Sequence, residues 1–133
     1  MRQAHQRLVA FLDAALRDAG YTDVKSSHLS VLATVDVDGS RLATLVTRGR
    51  RTKQATAELA GHLLVRGYVT LQPDATDRRA KLYRLTESGV ALLAAAEKVV
   101  TEYEKWLDQM LGRDAVAQLR GILNTIIEDQ HNR

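Results

Sequence analysis

A mostly α-helical fold with one small β-hairpin is the architecture this sequence predicts. Three observations lead there. Apolar residues recur at three- and four-residue steps along most of the chain, the period of a helix packed on one side. That period gives way to alternation only twice, at residues 68–71 and 81–85, with turn residues between them. The 133 residues, 45% hydrophobic and 26% charged, contain one proline and no Gly/Ser-rich linker, so one domain over 1–133 is expected.

The first helix carries Leu8, Phe11, Leu12, Ala15, Leu16 and Ala19 on one stripe, and Gly20 follows as its C′ residue. A shorter helix is predicted over 27–35, with Ser26 or Ser27 as N-cap. Asp38-Gly39, with Asp36 beside it, reads as a turn. Residues 41–47 form the next helix, with Leu42, Leu45 and Val46 inward, until Arg48-Gly49-Arg50 interrupts it. Thr52 caps a helix running to Arg66, whose buried stripe is predicted as Ala55, Leu59 and Leu63 with Leu64. Gly67 ends it and Tyr68 folds back over the last turn. Two helices joined by a short glycine-containing turn make a helix-turn-helix. Gly61 inside the second costs about 1 kcal/mol relative to alanine, which close backbone packing would explain.

Two strands follow, joined by Pro73-Asp74-Ala75-Thr76-Asp77 and a basic tip, Arg78 and Arg79. A hairpin directly after a helix-turn-helix is a wing. A long helix then begins near Thr86, showing Leu93, Ala96, Val99, Val100, Tyr103, Leu107, Met110 and Leu111. Its roughly 26 residues would span about 39 Å, long for so small a domain, so part of it is expected to lie on another surface. Gly112 stops it, and Asp114 is predicted to cap a last helix bearing Val116, Leu119, Ile122, Leu123, Ile126 and Ile127. Packing across a two-fold axis would bury the terminal stripes. The expected homodimer surface is therefore Leu8, Phe11, Leu12, Leu119, Ile122, Leu123 and Ile126. The complete expectation is a winged helix-turn-helix at 26–89 between dimerisation helices at 1–25 and 90–133.

Charge distribution points to a partner. The net charge is only +3. Between Arg41 and Lys81, however, nine basic residues face three acidic ones, an excess of +6, while the rest of the chain carries −3. A basic middle with acidic flanks is the footprint of a nucleic-acid-binding segment. A scatter of solvated charges is the bland alternative. The longest apolar run, Val90 to Ala96, is far short of a membrane span, and the N-terminus has no apolar leader core, so a cytoplasmic protein is expected. The absence of cysteine excludes disulfides, thiolate catalysis, zinc-finger spacings and thiol redox sensing.

The order of elements resembles the multiple antibiotic resistance regulator (MarR) family. The resemblance is specific from about Ser27 to Gly89. It rests on Arg51-Thr52-Lys53-Gln54-Ala55-Thr56, on Arg66-Gly67-Tyr68-Val69, on the wing Asp77-Arg78-Arg79-Ala80-Lys81, and on Leu85-Thr86-Glu87-Ser88-Gly89. It implies a homodimeric transcriptional regulator, here read as a repressor, that binds a pseudo-palindromic operator in double-stranded DNA. The recognition helix would enter the major groove and the wing the adjacent minor groove. It also implies, for many members, release by a small phenolic or anionic effector held between the dimerisation and DNA-binding parts. The alternative is a winged helix that binds protein without specific DNA binding; cationic wing arginines argue against it.

The residues fit such contacts individually. Opposite the predicted buried stripe lie Lys53, Gln54, Ala57 and Glu58, with Thr56 at the margin. Gln54 can bond an adenine edge twice and Lys53 can reach guanine or phosphate. Arg78 and Arg79 suit a narrow A·T-rich minor groove. Arg48, Arg50, Arg51 and Thr52 are read as phosphate contacts that set register. Glu58 departs from the basic residue common in the family, and its role stays open between a cytosine amine and a nearby arginine. Asp77 is expected to orient an arginine. His5, His28, His62 and His131 share no metal-ligand spacing, so no metal or cofactor is expected, and no nucleophile–base pair suggests an enzyme. Tyr103 and Trp106 are read as core, or as dimer or ligand-pocket lining.

Overall fold

The computed structural model describes residues 1–131, with the side chains of residues 130 and 131 excepted, so His131 as a ligand lies outside the described residues. The order is α1 (Arg2–Asp18), α2 (Ser26–Leu32), α3 (Leu42–Gly49), α4 (Lys53–Val65), β1 (Val69–Pro73), β2 (Lys81–Leu85), α5 (Glu87–Leu111) and α6 (Arg113–His131). The contacts divide the chain into two compact units, Met1–Glu97 and a second from Lys98 on, with the boundary inside α5.

The first unit closes on a core in which Leu16, Leu32, Leu45, Leu63, Val69 and Leu92 are fully buried, one each from α1, α2, α3, α4, β1 and α5. Each such side chain contributes about 1.5–3 kcal/mol by leaving water. The hairpin pairs Val69 with Leu85 and Pro73 with Lys81. Pro73 is thus the last residue of β1 rather than the start of the turn, a place where its missing N–H is tolerated. Ser40 adds a single-residue bridge to Tyr83 through two backbone hydrogen bonds of 2.8 and 2.9 Å, which no periodicity revealed.

Several local expectations need correcting. The N-cap of α2 is Lys25, not Ser26 or Ser27. Its N–H donates to Nδ1 of His28 at 3.0 Å, and the Ser26 N–H donates to Oδ1 of Asp13 on α1 at 2.7 Å, so acceptors from elsewhere relieve the need for a serine cap. The αL residue ending α3 is Arg50, at φ 50°, while Gly49 stays helical. A non-glycine there costs about 1 kcal/mol or more. Asp114 lies inside the first turn of α6, where its charge favours the helix dipole, and does not cap it. Other stops follow expectation. Gly67, at φ 79°, donates to the Leu64 carbonyl and Tyr68 to the Leu63 carbonyl, a Schellman closure.

Thr86 caps α5 by accepting from the Gly89 N–H at 3.1 Å, while its own hydroxyl donates to the Gly67 carbonyl at 2.6 Å. A Cβ at Gly89 would overlap the Tyr68 carbonyl oxygen, so only glycine lets α5 lie this close to the end of α4. That contact is the physical content of the Leu85-Thr86-Glu87-Ser88-Gly89 stretch. In the second unit Val116 is buried and Arg120 pairs with Glu104 at 3.3 Å. The apolar residues of α6 beyond Val116 stay exposed: Leu119 42%, Ile122 59%, Leu123 45% and Ile126 42%. Trp106 is half exposed, contrary to its core reading.

Candidate nucleic-acid interface

Helix α4 is built as its caps dictate. Thr52 Oγ1 accepts from the Ala55 N–H at 3.1 Å, fixing the start of α4 as predicted. Its rotation differs from expectation by about one residue. The buried line is Thr56, Ala60 and Leu63, with Ala55 and Leu59 only part-buried. Thr56 is therefore not a groove-margin residue; it is 1% exposed and its hydroxyl has no partner. Threonine's methyl group and short reach let it sit beneath the helix despite its hydroxyl.

On the opposite side Gln54, Glu58 and Val65 are exposed at helical spacing, with Gly61 part-exposed among them. No atom lies within 4 Å of the place where a Cβ would stand on Gly61. Close packing inside the chain is thus not the reason for that glycine. Lys53, also exposed, flanks the row at the helix start. The polar N-terminal turn of α4 presents free N–H groups and the positive end of the dipole, which favour phosphate.

The wing is held from its base. Asp74 is buried, and its Oδ1 accepts from the Thr76 N–H at 2.9 Å and the Thr76 hydroxyl at 2.8 Å. Its Oδ2 accepts from Arg41, with Nε at 2.8 Å. These bonds, those of Thr76 foremost and then that of Arg41, hold the Asp74 carboxyl down at about 2. Arg41, the residue before α3, so ties the helix-turn-helix to the hairpin. At the tip Asp77 Oδ1 accepts from the Arg79 backbone N–H at 3.0 Å, so it orients that arginine through the main chain rather than through the guanidinium. Arg78 and Arg79 are exposed, and among the described residues neither guanidinium has a hydrogen-bond or ion-pair partner.

The turn arginines divide. Arg48 is already engaged: its guanidinium donates to both oxygens of Asp36 at 2.8 and 3.0 Å and to the Thr34 carbonyl at 2.7 Å. The hydrogen bond from Arg48 holds the Asp36 carboxyl below its usual range, and Asp36 in turn raises the Arg48 guanidinium. Arg48 therefore braces the loop ahead of α3 as well as lying at the surface. Arg50 is exposed and Arg51 part-exposed, both at the approach to α4.

Sequence reasoning missed Arg41, Asp74 and Asp36 as parts of this surface. The two ion pairs join residues 33 and 12 positions apart, and no local spacing marks such partners. An open hollow of about 650 Å³ lies between α3, the start of α4 and the hairpin, lined by Leu42, Val46, Leu71 and Tyr83 with Arg41, Lys53 and Lys81. Among the described residues no group of three or more His, Asp or Glu gathers to hold a metal, and no helix is long and apolar enough to cross a membrane.

Comparison with known proteins agrees with this geometry. Residues 24–89 match a family model described as a winged helix DNA-binding domain. No curated protein matches the chain. Among solved structures, the transcriptional repressor CouR bound to a 23-mer DNA duplex superposes with a TM-score of 0.79 at 26% identity, over 95% of this chain and 88% of that one. CouR of Rhodococcus jostii RHA1 has also been solved bound to p-coumaroyl-CoA. A MarR-family transcriptional regulator from Rhodococcus sp. RHA1 gives 0.77 at 22% identity, over 94% and 87% of the two chains. Wild-type MarR from E. coli gives 0.75 at 21% identity, over 94% and 92%. With its capped helix α4, its Asp74-braced wing and residues 24–89 matching that model, the chain carries a winged helix DNA-binding domain and shares its fold with these MarR-family regulators.

Proposed function

We propose that the protein is a homodimeric repressor that reads a pseudo-palindromic operator in double-stranded DNA. The observation that carries the reading is the pairing, on one unit, of an outward polar row on α4 with two unpartnered arginines at the tip of a braced wing. Gln54 and Lys53 are placed to meet base edges in the major groove, and Arg78 and Arg79 the minor groove. Arg50, Arg51 and Thr52 serve the backbone and set register. The exposed Leu119, Ile122, Leu123 and Ile126 of α6, with Leu8 of α1, supply apolar surface for a second copy. Phe11 and Leu12 extend the α1 stripe. CouR, similar over most of its length, is itself a repressor solved on DNA, which supports the same use of this fold.

A small aromatic acid fits as effector. The hollow beside α3 and the hairpin joins apolar walls to three cations, and Lys53 belongs both to it and to the recognition helix. A carboxylate held there would take Lys53 away from DNA.

A mobility-shift titration on the DNA preceding the protein's own gene tests the reading. Arg78→Ala should weaken binding and flatten the log–log salt dependence by about 0.9 for each lost phosphate contact. Undiminished affinity at low salt would exclude the wing from the interface. Binding with no preference for that DNA would reduce the protein to a non-specific binder.

A further inference from the structure

The sequence treated the four histidines as unrelated, yet the fold brings two of them together. His28, buried on α2, and His62, exposed on α4, approach to 3.4 Å between Nε2 and Nδ1, with ring centroids 5.6 Å apart. The hydrogen-bond pattern fixes their protons. The Lys25 N–H donates to Nδ1 of His28, so that nitrogen carries a lone pair. In the neutral ring the proton is then on Nε2, which donates to Nδ1 of His62. His62 must in turn carry its own proton on Nε2. The chain runs in one direction, from the cap of α2 to the recognition helix, and neither ring can take a second proton without setting two donors face to face. The same pattern argues against a metal ion here, because an ion on Nε2 of His28 needs that nitrogen's lone pair and a proton on Nδ1, where Lys25 already donates.

We infer that His28 and His62 are positioning residues that seat the recognition helix α4 on α2 through a proton-sensitive chain of bonds, complete while both rings are neutral: a proton on Nδ1 of His62 breaks the contact between the rings, and one on Nδ1 of His28 breaks the Lys25 bond that orients it. The surrounding charges reinforce this. Lys25 precedes α2, and Arg66 ends α4, both cationic and both lining the same open groove of about 440 Å³. Against them stands Asp23, which is held by Arg66 at 3.7 Å and by the Tyr68 hydroxyl at 3.2 Å. Burial first, then Arg66, His62 and Lys25, hold the His28 imidazole below its ordinary value, with only Asp23 opposing. The consequence for DNA rests on the proposal that α4 meets the major groove.

Two readouts separate the contact from that proposal. In imidazole ¹⁵N NMR of the intact protein, His28 should show an unprotonated Nδ1 at neutral pH. It should titrate at higher pH in His62→Ala, an exposed substitution on a helix that leaves the core untouched. In binding to the duplex preceding the gene, lowering the pH from 7.5 to 5.5 at fixed ionic strength should weaken the wild type several-fold, up to about tenfold for one unit of coupling. The double variant His28→Gln/His62→Gln, in which glutamine can still accept from the Lys25 N–H, should stay within about twofold over the same range. An unchanged His28 titration in His62→Ala overturns the contact. Identical pH profiles for wild type and double variant overturn its effect on DNA. Failure of both proteins to bind any duplex would instead count against the regulator reading, with the NMR result still deciding the contact.

Discussion

The winged helix and the last helix put their large aliphatic residues to opposite ends. Between α2 and the start of α5, Leu32, Leu45, Leu63, Val69 and Leu92 are sealed from water. Among the described residues of α6 only Val116 is buried, and the residues one and two turns on keep about half their surface. Apolar residues recur at helical spacing in both. The difference shows that a helical stripe reports the existence of a packing surface without saying whether the same chain supplies it. The winged helix completes its own core; α6 has surface left for another molecule.

The largest test of that contrast is a pair of truncations. Leu63→Ala should cost about 2–5 kcal/mol in urea unfolding at any protein concentration. Leu123→Ala should cost within about 0.5 kcal/mol in a dilute monomer, and should instead weaken self-association seen by sedimentation. Equal losses in dilute solution would mean that α6 is as self-contained as the winged helix. Next comes Gly89→Ala, where the new methyl meets a backbone carbonyl that cannot turn aside. A loss of about 1–3 kcal/mol is expected, with α5 displaced from Tyr68.

Smaller effects sharpen the two faces of α4. Thr56→Val keeps the shape and removes an unpartnered buried hydroxyl, so thermal unfolding should show a gain of about 1 kcal/mol with DNA affinity unchanged. A loss of affinity would restore Thr56 to the interface. Gly61→Ala should also stabilise, by about 1 kcal/mol, because nothing in the chain opposes the methyl. If α4 lies in the groove, the same change should weaken binding. The wing offers the mildest contrast. The Asp74 carboxyl titrates at about 2 when folded, below its unfolded value near 4. Its contribution is present above that unfolded value and is lost as pH falls from about 4 to about 2. Protection against amide exchange in residues 74–80, taken relative to the intrinsic rate at each pH, should fall over that window, and Asp74→Asn should show the lower protection already at neutral pH.

Much of this was legible beforehand. The order of elements, the Thr52 cap, the Gly67 stop, the hairpin and the exposed arginines of the wing all follow from patterns within a few residues of one another. What was misread turned on rotation and distance. One residue of rotation on α4 moved Thr56 from the groove to the core, because Ala55, Thr56 and Leu59 are each small or apolar enough for either side. The bonds of Ser40 to Tyr83, Arg41 to Asp74, Arg48 to Asp36 and His28 to His62 span 43, 33, 12 and 34 positions.

By itself, then, the sequence determined the family of fold and the location of its basic face, since periodicity, capping and turn chemistry act through neighbours in the chain. Tertiary structure alone decided which side of α4 is presented, which arginines are already committed and which histidines meet. Those outcomes depend on how helices rotate to fill a shared core, and the free energy of that packing belongs to no single segment.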